Sequence, residues 1–183
     1  MTKTSNAGFH LRLLAFLTDW AILFLPNSIF WFFISLSSSL SELGFGLVVY
    51  LLVWLLPLLA LGFLYSSLLT YYFGGTLGKI LTGLRVTDEK GGRLTLKRII
   101  FRQTVGYGFS FTLFGLGFLS VIKDPLKQAW HDKAVGSLVL KTTNLWPVGL
   151  VILTVLVWLN FVFIWSGIDN FTYGPLPTQF FPK

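Results

Sequence analysis

Long apolar runs separated by short polar stretches set the pattern of this chain. Runs over 11–33, 45–73 and 145–167 each reach the roughly 20 residues a helix needs to cross a bilayer core. The first contains Pro26 and Asn27 and the second Pro57, breakers that neighbouring helices can accommodate within a membrane. Trp54, Tyr65, Tyr71 and Tyr72 lie along the second run or at its ends, and Trp146 and Trp165 lie near opposite ends of the third. Such rings suit the membrane–water interface. The loop 35–42 is serine-rich and carries no Lys or Arg.

The stretch 74–144 is more mixed. Alternation in Leu84-Arg85-Val86-Thr87-Asp88 and Arg93-Leu94-Thr95-Leu96, with Gly91-Gly92 between, predicts two short strands and a turn. Ser137-Leu138-Val139-Leu140-Lys141 is a third candidate strand, welcome because an isolated hairpin is marginal in water. Residues 99–122 are apolar enough to cross, or to dip and return. The basic residues discriminate between these. If 99–122 crosses once, Lys123, Lys127, Lys133 and Lys141 lie outside; if it turns back, only Lys183 does. The positive-inside bias favours a re-entrant or interfacial helical pair, with a fourth crossing as the alternative.

The expected fold is therefore an all-α membrane protein with three clear transmembrane helices, the segment 99–122, and a small cytoplasmic β-hairpin. The N-terminus is expected in the cytoplasm, 35–42 outside, 74–144 inside or dipping, and 168–183 outside. That tail combines Pro175, Pro177 and Pro182 with Phe171, Tyr173, Phe180 and Phe181, and is expected to be irregular.

Composition agrees: 54% of the 183 residues are hydrophobic and 11% charged, against about 25% charged in an ordinary soluble domain. Net charge is +7, but the basic residues flank apolar runs, so anionic lipid is the expected partner and nucleic acid is not. Lys3 and Arg12 before an apolar stretch imitate a signal peptide. The stretch is longer than an h-region of about 7–15 residues and carries Asp19, so a retained helix is expected. With no cysteine and two histidines, thiolate chemistry and a histidine-rich metal cage are excluded. No cofactor or metal is expected.

Asp19 is the residue that calls for a reason. A carboxylate in hydrocarbon costs several kcal/mol by low-end estimates, so it faces a partner or water. Arg12 lies two helical turns earlier, roughly 10 Å along the axis, which makes a direct pair awkward. Arg102, just inside the fourth run, is the better partner, leaving Arg12 for Asp132. Two crossed pairs are expected: Arg102 with Asp19, and Arg12 with Asp132. Either they clamp the segment 99–122 to the first helix, or Asp19 relays a proton or cation with Asp132 at its mouth. Beyond these, the spans offer only Asn27, Asn160 and hydroxyls.

Three motifs then carry a resemblance: Gly8-Phe9-His10-Leu11-Arg12 through Thr18-Asp19; Gly75-Thr76-Leu77-Gly78-Lys79 with Gly83-Leu84-Arg85-Val86; and Gln128-Ala129-Trp130-His131-Asp132-Lys133 through Val139. In order and spacing the chain resembles the RDD family, with its arginine on Arg12 and its aspartates on Asp19 and Asp132. The resemblance covers 8–141 and implies a polytopic, mostly bacterial membrane protein, with transport suggested for some members. The chain departs from the shared core by adding the run 145–167 and the tail 168–183, a natural surface for other integral membrane subunits. It is accordingly expected to be a non-catalytic accessory or assembly subunit of a larger complex in a bacterial inner membrane, cytoplasmic or intracytoplasmic. The alternative is a small oligomeric ion transporter or cation/proton antiporter using Asp19.

The other motifs have plainer readings. Gly74-Gly75-Thr76-Leu77-Gly78-Lys79 lacks the G-x-x-x-x-G-K-[ST] pattern, because Ile80 follows Lys79, and reads as a tight turn. Lys79, Arg93, Lys97 and Arg98 are candidates for lipid headgroups. His131-Asp132 resembles a base with its carboxylate, but adjacent helical residues do not face each other.

Overall fold

The computed structural model describes residues 5–37, 52 and 56–173. Its elements are β1 (Ser5–Asn6), α1 (Phe9–Ser37), α2 (Leu56–Phe73), α3 (Leu77–Leu81), β2 (Leu84–Asp88) and α4 (Leu96–Phe101). A π-helical turn (Arg102–Gly106) leads into α5 (Tyr107–Lys123), followed by α6 (Trp130–Lys133), β3 (Ser137–Lys141) and α7 (Trp146–Tyr173). The chain divides into two compact units, one of Met1–Asp19 with Leu61–Leu153 and one of Trp20–Ala60 with Thr154–Lys183.

Two helical stretches among the described residues are long and apolar enough to cross a membrane, Phe9–Leu36 and Trp146–Asn170. They correspond to the first and last of the three clear crossings expected. The run 45–73 lies partly outside the described residues, and its described part is α2. Helix α7 continues to Tyr173, so 168–173 are helical rather than irregular as expected; residues 174–183 lie outside the described residues.

The fourth apolar run is a bent pair, Leu96–Ser110 and Phe114–Lys123, whose axes differ by 103°. Phe114 (φ 56°) and Gly115 (φ 82°) sit in the left-handed region, where one residue redirects a right-handed helix. The glycine adopts this without a Cβ penalty. Counted as one span, the pair would be a third crossing.

In the first unit the sheet has the order β1-β3-β2, all antiparallel, with Val86 opposite Val139 and Asn6 opposite Leu140. Leu84, Val86 and Val139 point into a core with Ala7, Ala15, Leu94 and Ile99, as period-2 alternation requires. The expected hairpin is absent, however: 93–96 form no strand, and the partner of β2 is β3. Two local contacts explain this. The Gly74 carbonyl accepts the Val86 N–H at 2.6 Å, occupying the free side of β2. The Asp88 carboxylate accepts the Lys90 and Gly92 amides at 3.0 and 2.6 Å, closing the turn so that Leu94 enters the core and Thr95 opens α4.

The second unit joins the later part of α1 to the later part of α7. Asn160 on α7 donates to the carbonyls of Ala21 (3.2 Å) and Leu156 (2.8 Å), and Ser28 donates to Asn160 Oδ1 at 2.6 Å. In an apolar span such contacts contribute modestly, averaging about 0.6 kcal/mol and reaching about 1.7. Asn160→Val is expected to lower stability by about 1 kcal/mol. Thermal unfolding in detergent reads this; no change in midpoint would show the cluster to be idle.

Candidate functional site

Asp132 is the centre of the charged site. It lies on the short helix α6 and is fully buried. Its Oδ2 accepts the Ala129 amide at 3.2 Å, a third-residue carboxylate reaching back to the start of its own helix. Ser137, entering β3, donates its hydroxyl to Oδ1 at 3.1 Å. Gln128 fixes the same turn by donating to the Ser137 carbonyl at 3.0 Å.

Two guanidinium groups meet this carboxylate. Arg12, in the first turns of α1, donates Nη1 to Oδ2, Nε to the Ala7 carbonyl (3.1 Å) and Nη2 to the Lys127 carbonyl (2.5 Å). Lys127 is held at φ 53°, uncommon for a residue with a side chain. Arg102, in the π-helical turn, donates Nε and Nη2 to Oδ1 at 3.0 and 2.7 Å. The wider turn buries Arg102, Gln103 and Gly106 together, and inserted turns of this kind cluster at functional sites.

Burial by itself would raise the pKa of Asp132. The guanidinium of Arg102, and then that of Arg12 through its charge and its hydrogen bond, outweigh it and hold the carboxyl well below the usual carboxylate range. Asp132 is therefore a permanent anion between two permanent cations.

His131 is the neutral companion. Burial, then the positive charge of Arg102, push its pKa well below 6.5. Its Nδ1 lies 3.0 Å from Ser110 Oγ, which donates onward to the Gly106 carbonyl at 3.0 Å. Its Nε2 lies 3.6 Å from Asp132 Oδ1. The ring meets Tyr107 edge-on, centroids 4.5 Å apart.

The sign of the pH effect follows. An unfolded histidine takes up its proton near pH 6.5, while folded His131 does not, so the unfolded state binds more protons below that pH. Stability should fall as pH drops from about 6.5, by up to about 1.4 kcal/mol per pH unit. Asp132, depressed in the folded state, adds a further loss only below its unfolded value near 4. Unfolding followed between about pH 7.5 and 5.5 should show this fall in wild type and not in His131→Gln. An equal fall in both would remove His131 from the explanation.

Asp19 is held differently. Its Oδ1 accepts Tyr65 OH at 2.8 Å and the Gly78 amide at 2.7 Å, and its Oδ2 accepts Thr76 Oγ1 at 2.5 Å. A buried carboxylate is thus satisfied by three neutral donors around the start of α3. Lys79 reaches only the Thr76 hydroxyl, at 3.3 Å. Gly78 is required by this approach, since a Cβ there would lie 2.1 Å from the Ala15 carbonyl oxygen and 2.8 Å from Asp19 Cγ.

The sequence-predicted residues are distributed accordingly. Arg12 meets Asp132. Arg102 also meets Asp132 rather than Asp19, which corrects the crossed pairing; Asp19 has found amide and hydroxyl donors instead of a cation. Of the lipid candidates, Arg93 and Lys97 are exposed and Lys79 half-buried. Arg98 turns into the fold, donating through Nε to the Val135 carbonyl (2.8 Å) and through Nη2 to that of Gly136 (2.8 Å). Sequence reasoning missed Tyr65, Thr76, Gly78 and Ser137. The Gly-Thr-Leu-Gly-Lys spacing was the one available signal for two of them.

Membrane-length apolar helices, with an ionic knot at a small sheet, define an integral membrane protein whose charged residues tie distant segments together. The RDD family model matches residues 6–136, and the chain belongs to the RDD family. It is 33% identical over 129 residues to the uncharacterized membrane protein YteJ of Bacillus subtilis, covering 69% of this chain and 75% of that one. A second relative from the same organism, the uncharacterized protein YxaI, is 32% identical over 140 residues, covering 69% and 91%. No solved structure matches.

Proposed function

We propose that this chain is a non-catalytic accessory or assembly subunit of a larger complex in a bacterial inner membrane, with its N-terminus in the cytoplasm. One observation carries the reading. The most apolar stretch of α7 is only 11% buried, and Val151, Val155, Trp158, Phe161, Trp165 and Ile168 are all exposed. Their spacing of three and four places them on one face of the helix. Three of them, Phe161, Trp165 and Ile168, lie in the part of α7 beyond Asn160. In this reading 145–183 meets other integral membrane subunits, while Arg12, Asp19, Asp132 and Arg102 keep the family core folded. An ion-transporting role for Asp19 has less support, because both its oxygens already accept strong hydrogen bonds.

Extraction in mild detergent tests the proposal. A partner retained in fixed stoichiometry by the full chain, and released when Val151, Trp158 and Trp165 are replaced by Ala, supports it. A chain that purifies alone from its native membrane and drives cation or proton flux in proteoliposomes, abolished by Asp19→Asn, would replace it with the transporter reading.

A further inference from the structure

A cavity of about 360 Å³ opens beside the ionic knot in the first unit, within the usual range for small-ligand pockets. Its walls combine two chemistries. Phe9, Leu13, Phe16 and Leu119 supply apolar surface, while Arg12, Lys79 and Arg102 supply positive charge. The two acids nearest these cations are Asp132, which pairs with Arg12 and Arg102, and Asp19, which Lys79 approaches only through the Thr76 hydroxyl. Three cations against two carboxylates leave one positive charge unmatched at this wall.

A second observation is independent of that charge balance. Arg102 is 1% exposed, and its Nη1 has no hydrogen-bond partner although Nε and Nη2 are both engaged. A buried donor left unpaired is destabilising, the more so when it is charged. Tyr107 meets the same guanidinium through its ring, whose centroid lies 5.5 Å from the guanidinium carbon, and through its hydroxyl, yet Nη1 is left without a hydrogen bond of ordinary geometry. Both Arg102 and Tyr107 line the cavity.

We infer that this cavity binds an anionic amphiphile, an acyl chain carrying a carboxylate or phosphate group. The chain lies against Leu13, Phe16 and Leu119, and the anionic group meets Arg102 Nη1 and the Lys79 ammonium. The neutral His131 at the same wall adds no competing charge. This site is internal to the family core and does not involve the exposed Arg93 and Lys97. It does not depend on the subunit reading, because it involves none of α7.

Native mass spectrometry of the delipidated full chain in neutral detergent tests this. Oleate, dilauroyl phosphatidylglycerol, dilauroyl phosphatidylcholine and inorganic phosphate are the probes. One equivalent of oleate, of the phosphatidylglycerol, or of both is expected to bind, identifying a fatty acid or a phospholipid as the source. Phosphatidylcholine and inorganic phosphate are expected to bind far more weakly. Lys79→Gln should weaken binding about fivefold, the usual effect of one basic side chain at an anionic lipid. Leu13→Trp, at the apolar wall, should abolish it, with the unfolding midpoint confirming that the variant is folded. Equal binding of phosphatidylcholine and phosphatidylglycerol, or wild-type binding in both variants, would overturn the inference.

Discussion

Asp132→Asn is expected to destabilise the chain by about 3–5 kcal/mol, the usual result of removing one side of a buried ion pair. The loss comes chiefly from what remains. Arg102 is almost completely buried, and with an amide in place of the carboxylate its guanidinium has no anion within reach. Arg12, at 13% side-chain exposure, suffers less and still has the carbonyls of Ala7 and Lys127. The variant should therefore reach the membrane at a sharply reduced level and unfold earlier in detergent. Adding Arg102→Met should recover part of the loss, because it removes the stranded charge. Wild-type stability in Asp132→Asn would mean that the knot contributes little.

Gly78→Ala is the second large effect. A single methyl group is added, but its Cβ falls 2.1 Å from a backbone oxygen of α1, which no side-chain rotation relieves. Helix α3 must retreat, drawing the Gly78 amide and Thr76 hydroxyl away from Asp19. Overpacking typically costs about 1–3 kcal/mol, and hydrogen bonds to a charged group about 1.5–3 each. A loss of about 3 kcal/mol or more in detergent unfolding is expected. Gly8→Ala, where a Cβ meets nothing within 4 Å, is the control and should be near neutral. Equal behaviour of the two variants would disprove the close approach.

The same residues show how far the sequence could be read. The alternation of 84–88 and 137–141 revealed two strands, because each presents one face to the core. Residues 93–96 alternate too, yet form no strand, since what decides the matter is the Gly74 carbonyl taking the free edge of β2. That contact joins segments whose proximity no local pattern records. Charge placement revealed the pairing of Arg12 with Asp132. It failed for Arg102 because a buried carboxylate was assumed to need a cation, whereas Asp19 is satisfied by two hydroxyls and an amide. Gly78 was readable as part of a turn, but its Cβ conflict with Ala15 is a property of the assembled helices. The π-helical turn that carries Arg102 to Asp132 left no recognised mark in the sequence.

Arg102 and Asp132 act as one structural unit at the heart of the family core. A double-mutant cycle measures it directly, with Arg102→Met, Asp132→Asn and the double variant unfolded under identical detergent conditions. The predicted coupling is at least about 2 kcal/mol, with the double variant more stable than the sum of the single losses allows. Additivity within about 0.5 kcal/mol would contradict the claim.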